Sequence, residues 1–278
     1  MRKFFIITLL WVAVYASYAQ QGDLSLRVSS YNLRMNTQSD SLNAWPYRKD
    51  KVKALIQYHD MDIVGTQEGF LHQLTDICEL PEYSYFGAGR DDGLSAGEHS
   101  AVLYKKDRFE VVESGNFWLS ETPDVPGKGW DATCCNRICS WAKLKEKKTG
   151  KTFYFFNVHF DHQGRVARAE SGKLMVKKMQ EIAKNNLIIC TGDFNSPPET
   201  EQIQLLSSYL NDSKKVSQLP PYGPEGTSAS RFINIGPRRI DYIFVSDGIK
   251  VLKYASLTDN DGKFYPSDHI PVVADIVF

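Results

Sequence analysis

Six short runs of the chain join an apolar stretch to polar residues able to hold a metal ion or a phosphate. Tyr31-Asn32 follows Leu26-Arg27-Val28, and Gln67-Glu68 follows Ile63-Val64. His159 ends an aromatic run, and Thr191-Gly192-Asp193-Phe194-Asn195 follows an apolar one. Asp241 opens Tyr242-Ile243-Phe244-Val245, and Ser267-Asp268-His269 precedes Ile270-Pro271-Val272-Val273. Catalytic groups are commonly displayed where such elements end. Asp193 and Asn195 are two residues apart, so an extended chain points both the same way. Gly192 between them and the strand lets another group approach closely. Taken singly, an Asn is usually a turn residue and an Asp or Glu a solvated one. Together they suit phosphoester hydrolysis, which needs charge neutralised on phosphoryl oxygens, an in-line water and a stabilised leaving oxygen. The chain has no Gly-x-Ser-x-Gly elbow and no Gly-rich loop ending in Lys-Ser/Thr. Direct attack by water, without a covalent enzyme intermediate, is therefore the expected route.

Strands must carry these residues. Short apolar runs alternate with amphipathic stretches, which predicts a mixed α/β fold. The pattern predicts strands at 24–32, 63–67, 100–104, 110–119, 138–145, 151–160, 187–190, 239–245, 249–256 and 271–277. Helices are expected at 44–58, 70–78, 165–184 and 199–208, with Asn43 capping the first. In 151–160, Phe153, Phe155, Asn157 and His159 share one face; Tyr154, Phe156, Val158 and Phe160 share the other. Residues 121–137 and 211–235 read as loops on one rim of a single sandwich.

Composition narrows the class. The chain has 278 residues, 42% hydrophobic and 24% charged, which excludes wholesale disorder and a coiled coil. Lys+Arg and Asp+Glu both total 33, so a strongly basic nucleic-acid coat is absent, though a local basic groove is not excluded. Arg2 and Lys3, an apolar run and Ser17-Tyr18-Ala19 form a secretory signal pattern. The expected organisation is a cleaved signal peptide at 1–19 and one domain at 20–278, exported to the periplasm or the medium. No stable membrane span and no obligate protein partner are expected. Cys78, Cys134, Cys135, Cys139 and Cys190 are odd in number. Cys190 reads as a core residue, and Cys134, Cys135 and Cys139 can supply one bridge in an oxidising compartment.

The ordered set Tyr31-Asn32-Leu33-Arg34, Gln67-Glu68, Asn157-Val158-His159, Gly192-Asp193-Phe194-Asn195, Ile240-Asp241-Tyr242-Ile243 and Ser267-Asp268-His269 resembles the endonuclease/exonuclease/phosphatase superfamily. The resemblance covers almost the whole mature chain. It implies a DNase-I-like, four-layer α/β sandwich: two mixed β-sheets packed face to face, with helices outside. It also implies a divalent metal, magnesium with manganese as the alternative. Carried over, Asn32 and Glu68 would belong to the metal site, where oxygen ligands suit magnesium. His159 would contact or protonate the phosphate. Asp193 would position or deprotonate the water, with Asn195 orienting it or holding the phosphate. Asp241 would support the metal or the leaving group. Asp268 would orient His269, which would polarise a phosphoryl oxygen. Glu98 falls where some relatives keep a carboxylate that pairs with the histidine matching His159 and raises its pKa; a solvated loop Glu is the other reading. Arg137 falls where nucleases of the family hold a substrate phosphate; an ordinary surface Arg is the other reading.

The substrate is the least legible part, because one fold hosts many. Arg165 and Arg168 are three apart at a helix start and would bind a second phosphate or form a structural pair. Arg231, Arg238 and Arg239 are further candidate phosphate contacts. Phe117, Trp118 and Trp130 read as core, although a sphingomyelinase would expose such residues for membrane docking. A secreted, metal-dependent phosphodiesterase or nuclease-like hydrolase is the leading expectation. The alternatives are a phosphomonoesterase for inositol or sugar phosphates and a sphingomyelinase-like diesterase. A catalytically inactive phosphate-binding module is the remote one.

Overall fold

The structure, a computed structural model, describes residues 23–278, so the expected signal segment lies outside the described residues. Its first part runs β1 (Ser25–Asn32), α1 (Trp45–Tyr58), β2 (Ile63–Gln67), α2 (Leu71–Ile77), β3 (Tyr83–Phe86) and β4 (Val102–Lys105). Then come β5 (Phe109–Trp118), β6 (Ile138–Glu146), β7 (Thr152–His159), α3 (Arg165–Ala183), β8 (Ile188–Asp193) and α4 (Glu201–Tyr209). The short β9 (Asn211–Asp212), α5 (Ser213–Val216), β10 (Ala229–Ser230) and β11 (Asn234–Ile235) follow. The last strands are β12 (Asp241–Val245), β13 (Lys250–Ser256) and β14 (Val272–Val277).

Two six-stranded sheets result, in the orders β13-β14-β1-β2-β4-β3 and β5-β6-β7-β8-β12-β9. Each contains one parallel pair, β1 with β2 and β7 with β8, among antiparallel neighbours. Alternation along the strands decides which side chains fill which layer. Leu26, Val28 and Ile63 meet Phe153, Phe155, Ile189 and Ile243 between the sheets. Tyr154, Phe156 and Val158, on the opposite face of β7, pack with Met175, Met179, Ile203 and Leu206 of α3 and α4. Tyr31, Val64 and Leu103 pack with Trp45, Val52, Leu55 and Leu74 of α1 and α2. The layers are thus helix, sheet, sheet, helix, as the resemblance implies. Among the described residues no helix is long and apolar enough to cross a membrane.

Several details differ from expectation. Asn43 does not cap α1: the cap position is Ala44, and Pro46 in the first turn presets the helical φ. Asn43 instead closes a 3-10 turn and offers its carbonyl to Arg48 Nε at 2.9 Å. Strand β3 went unseen because its four residues alternate irregularly between buried and half-buried. The expected loop 211–235 carries four short elements, and Asp212 on β9 pairs Arg239 through both guanidinium nitrogens. Arg239 is therefore a buried structural cation, not a phosphate contact. Phe117 and Trp118 are buried, in line with the core reading, whereas Trp130 is only half-buried. Cys134 is bonded to Cys135, while Cys139 and Cys190 are buried free thiols.

Candidate functional site

Strand register assembles half of the site. His159 is the direct neighbour of Asp193, and Asp193 of Asp241, across β7, β8 and β12. In the other sheet Asn32 pairs with Gln67, so Glu68 follows at the same rim. Ser267 Oγ donates to the Asn32 carbonyl at 2.7 Å, which pins the segment carrying Asp268 and His269 across that rim. Between the sheet ends lies a bay of about 580 Å³, lined in part by Arg34, Glu68, Arg137, His159, Asp193 and His269. Three of its residues, Arg34, Glu68 and Asn195, hold positive φ angles of 56°, 63° and 46°. Such backbone settings in non-glycine residues cluster at functional sites.

The floor is a hydrogen-bonded chain of charges. His269 Nδ1 donates to Asp241 Oδ2 at 2.9 Å, and His269 Nε2 lies 3.8 Å from Asp193 Oδ2. Burial opposes a charge on His269, but Asp241, Asp193 and Asp268 together raise its pKa well above the usual histidine value. Burial, reinforced by Asp241, pushes Asp193 up to about 7. Asn32 Nδ2 donates to both Glu68 Oε1 and Asp193 Oδ2, at 3.0 and 3.1 Å. Burial works against the Glu68 charge, yet His269, Asn32 and the Met35 N–H hold Glu68 below the ordinary carboxylate pKa. On the other side, Asn195 Nδ2 contacts His159 Nε2 at 3.1 Å, which makes that ring nitrogen the acceptor. Burial and the charges of Arg137 and Arg90 hold His159 neutral, far below the usual value.

The residues present fit a hard divalent cation. Glu68, Asp193, Asp241 and Asp268 bring four carboxylates to this rim, with Arg34, Arg137 and His269 as the facing cations. Among the described residues, Asp241 Oδ1 and Asp268 Oδ1 are buried without a hydrogen-bond partner. Glu68 and the Asn32 carboxamide oxygen are the donors best suited to hold the ion. Ligand atoms of Asp193, Asp241 and His269 also lie within 4.8 Å of one another. That trio is better described as an ion-paired network, because His269 spends its Nδ1 proton on Asp241 and remains cationic.

Two expected pairings are absent. Asp268 does not hold His269; its carboxylate lies 3.7 Å from Arg34 Nε, and Asp241 takes the imidazole. Glu98 does not pair with His159; Arg90 Nη1 donates to it at 2.6 Å and diverts the carboxylate. Arg137 is no surface Arg: it is 5% exposed, and its Nε and Nη1 have no hydrogen-bond partner although it lines the bay. Arg165 and Arg168 lie elsewhere, with Arg238, in a neighbouring cavity of about 460 Å³ that also touches Asn195. Arg34, Arg90, Asp91 and His162 line the bay without having been singled out for a role. Arg34 stands in the Tyr31-Asn32-Leu33-Arg34 run, which was its one available signal.

Residues 29–269 match the sequence profile of the Endonuclease/Exonuclease/phosphatase family. A family protein of that description from Bacteroides thetaiotaomicron is 46% identical, with 92% of this chain and 99% of that one covered and a TM-score of 0.87. A mannosyl-6-phosphatase from Bacteroides thetaiotaomicron is 45% identical, covering 91% of this chain and 100% of that one, with a TM-score of 0.85. The CCR4-Not complex 3'-5'-exoribonuclease subunit Ccr4 of Kluyveromyces lactis is 24% identical over 83% of this chain; the match spans 37% of Ccr4. Profile, fold and strand-end polar residues agree, and the chain belongs to the endonuclease/exonuclease/phosphatase family of phosphoester hydrolases.

Proposed function

We propose that the chain is an exported, magnesium-dependent hydrolase of small phosphomonoesters, sugar phosphates foremost. The observation that carries this reading is the buried Asp241–His269 pair facing Asp193 at the floor of a compact bay. Glu68 and Asn32 would hold a divalent cation, magnesium or in its place manganese, which when bound would neutralise charge at the phosphoryl oxygens. The chain's own groups do the rest. Asp193 orients the attacking water and takes its proton. His269, kept cationic by Asp241, donates to a phosphoryl oxygen as charge builds there. His159 meets the phosphate from the opposite side, held by Asn195. The buried Arg137 guanidinium, which lines the bay, adds positive charge beside the phosphate.

The mannosyl-6-phosphatase relative supports a monoester, as does the absence of net positive charge. Export rests on the signal pattern at 1–19. A nuclease-like diesterase stands second, and one observation favours it: Arg165, Arg168 and Arg238 flank a cavity that meets the bay at Asn195. A flanking phosphate would fit there. The sphingomyelinase-like alternative loses support because Phe117 and Trp118 are buried.

The test is product release with magnesium from a panel of hexose phosphates, inositol phosphates, RNA, duplex DNA and sphingomyelin, with D193N as the blank. Inorganic phosphate from a hexose phosphate is the expected result. Turnover of RNA or DNA alone would replace this reading with the diesterase. An active D193N would overturn the site assignment.

A further inference from the structure

The catalytic groups fill only the inner side of the bay. The outer side is built from loops and carries Phe70, Arg90, Asp91, Gly97, His162 and the bonded Cys134–Cys135 pair. A phosphate seated on the inner groups directs its ester substituent toward this wall. We propose that the outer wall is a hydroxyl-recognition subsite, in which the Asp91 carboxylate and the His162 Nε2–H grip hydroxyls of an uncharged sugar leaving group. The inference rests on the monoesterase reading and names its substrate class.

His162 is set up as a directed donor. Arg137 Nη2 lies 2.8 Å from His162 Nδ1, and a guanidinium can only donate, so Nδ1 is the acceptor. The proton of the neutral ring must therefore sit on Nε2. Burial and the Arg137 charge favour that neutral ring. The residue is exposed, and among the described residues its Nε2 has no partner. The buried Arg137 thus links the phosphate side of the bay to the orientation of a ring on the leaving-group side.

Asp91 is set up as an acceptor. Its carboxylate accepts no hydrogen bond among the described residues, and its nearest cation, Arg90 Nε, is 3.9 Å away. The loop beneath it is firmly tied: Arg90 N donates to Glu98 O, Asp91 N to Ala96 O and Gly89 N to Leu94 O, at 2.9 to 3.1 Å. Gly97 makes room for it, since a Cβ there would lie 2.3 Å from Asp91 Oδ2. An acceptor on a tied loop and an oriented donor lining the same bay match a hydroxylated ligand, because each hydroxyl both donates and accepts. The Asp91 charge also repels a second phosphate, which disfavours a nucleotide chain or a bisphosphate at this wall. Phe70, which also lines the bay, adds apolar surface for the C–H side of a sugar.

The experiment compares kcat/KM for a hexose 6-phosphate with that for 4-nitrophenyl phosphate, using the magnesium-loaded full chain. Wild type, D91A, H162F and H162Q are measured. D91A and H162F should each lower the hexose-to-aryl ratio at least tenfold, chiefly through KM for the hexose phosphate. H162Q, which returns a donor near the Nε2 position, should recover most of the ratio. An unchanged ratio in D91A and H162F overturns the subsite while leaving the monoesterase reading intact. If the wild type hydrolyses neither ester, the monoesterase reading fails. Saturation-transfer NMR with free hexose then decides the subsite: binding to wild type that is lost in D91A supports it, and no binding to wild type overturns it.

Discussion

His269 Nδ1 donates to Asp241 Oδ2 at 2.9 Å, in a floor where both side chains are almost sealed from solvent. The pair converts a histidine that burial alone would neutralise into a lasting cation. D241N keeps the shape and removes the charge, so His269 should titrate at lower pH than in wild type. Imidazole NMR across a pH series measures this directly. Hydrolysis should fall by about two to three orders of magnitude, the usual scale for losing electrostatic stabilisation of the transition state. A His269 titration unmoved by D241N would remove Asp241 as its support.

The carboxylates at the bay make a second prediction. Glu68 is held below the ordinary carboxylate pKa and is kept ionised by His269, Asn32 and Met35. Chelation of divalent ions should abolish turnover, and added magnesium should restore it. E68A should weaken magnesium binding by at least about tenfold, read by calorimetry on the folded protein. Equal magnesium affinity in wild type and E68A would place the ion elsewhere.

How much of this was legible beforehand follows from the physics of each residue. His159, Asp193 and Asp241 could be read because strand periodicity delivers them to one edge, and register then makes them neighbours. The Asp241–His269 bond could not be read, because the competing Asp268 is adjacent in sequence while the true partner is 28 residues away. The Glu98 pairing failed for a different reason: nothing periodic announces that Arg90, only eight residues away, reaches it first. Arg137 stayed open between a phosphate contact and a surface residue, since charge usually means exposure, yet it is buried beside Asp161 and His162. Strand β3 and the short elements between 211 and 235 were too brief to leave a pattern.

Glu98 supplies a pH prediction. Burial pushes its pKa up to about 7, Arg90 and Arg137 pulling it down and Glu68 and Asp91 adding to the rise. A carboxyl whose folded pKa exceeds its unfolded value binds a proton more tightly in the folded state. Its contribution to stability is complete below the unfolded pKa and is lost as pH rises through the folded one. Between roughly pH 4.5 and 7 the wild type should therefore lose stability relative to E98Q, by up to about 3 kcal/mol. Denaturant titrations of both proteins at several pH values check this, and a difference that does not vary with pH would refute it.

Asn157 joins the two sheets and supports the last prediction. Its Nδ2 donates to Thr66 O and Ala101 O at 2.7 and 3.0 Å, and its Oδ1 accepts from Gln67 Nε2 and Thr191 Oγ1 at 2.8 and 2.9 Å. Every hydrogen-bonding position of the carboxamide is used, in a fully buried setting. N157A should cost about 2–4 kcal/mol, since several buried groups lose a partner at once. Gly65 lies against the same network, where a Cβ would approach Thr191 Oγ1 to 2.0 Å and Asn157 Oδ1 to 2.4 Å. G65A alone should therefore destabilise through overpacking. In the double variant the space vacated by the Asn157 carboxamide admits the new methyl, and Thr191, released from Asn157 Oδ1, can turn away. The combined loss should fall short of the sum of the two single losses by at least about 1 kcal/mol. Strict additivity in urea unfolding would show that the two residues do not share one inter-sheet contact.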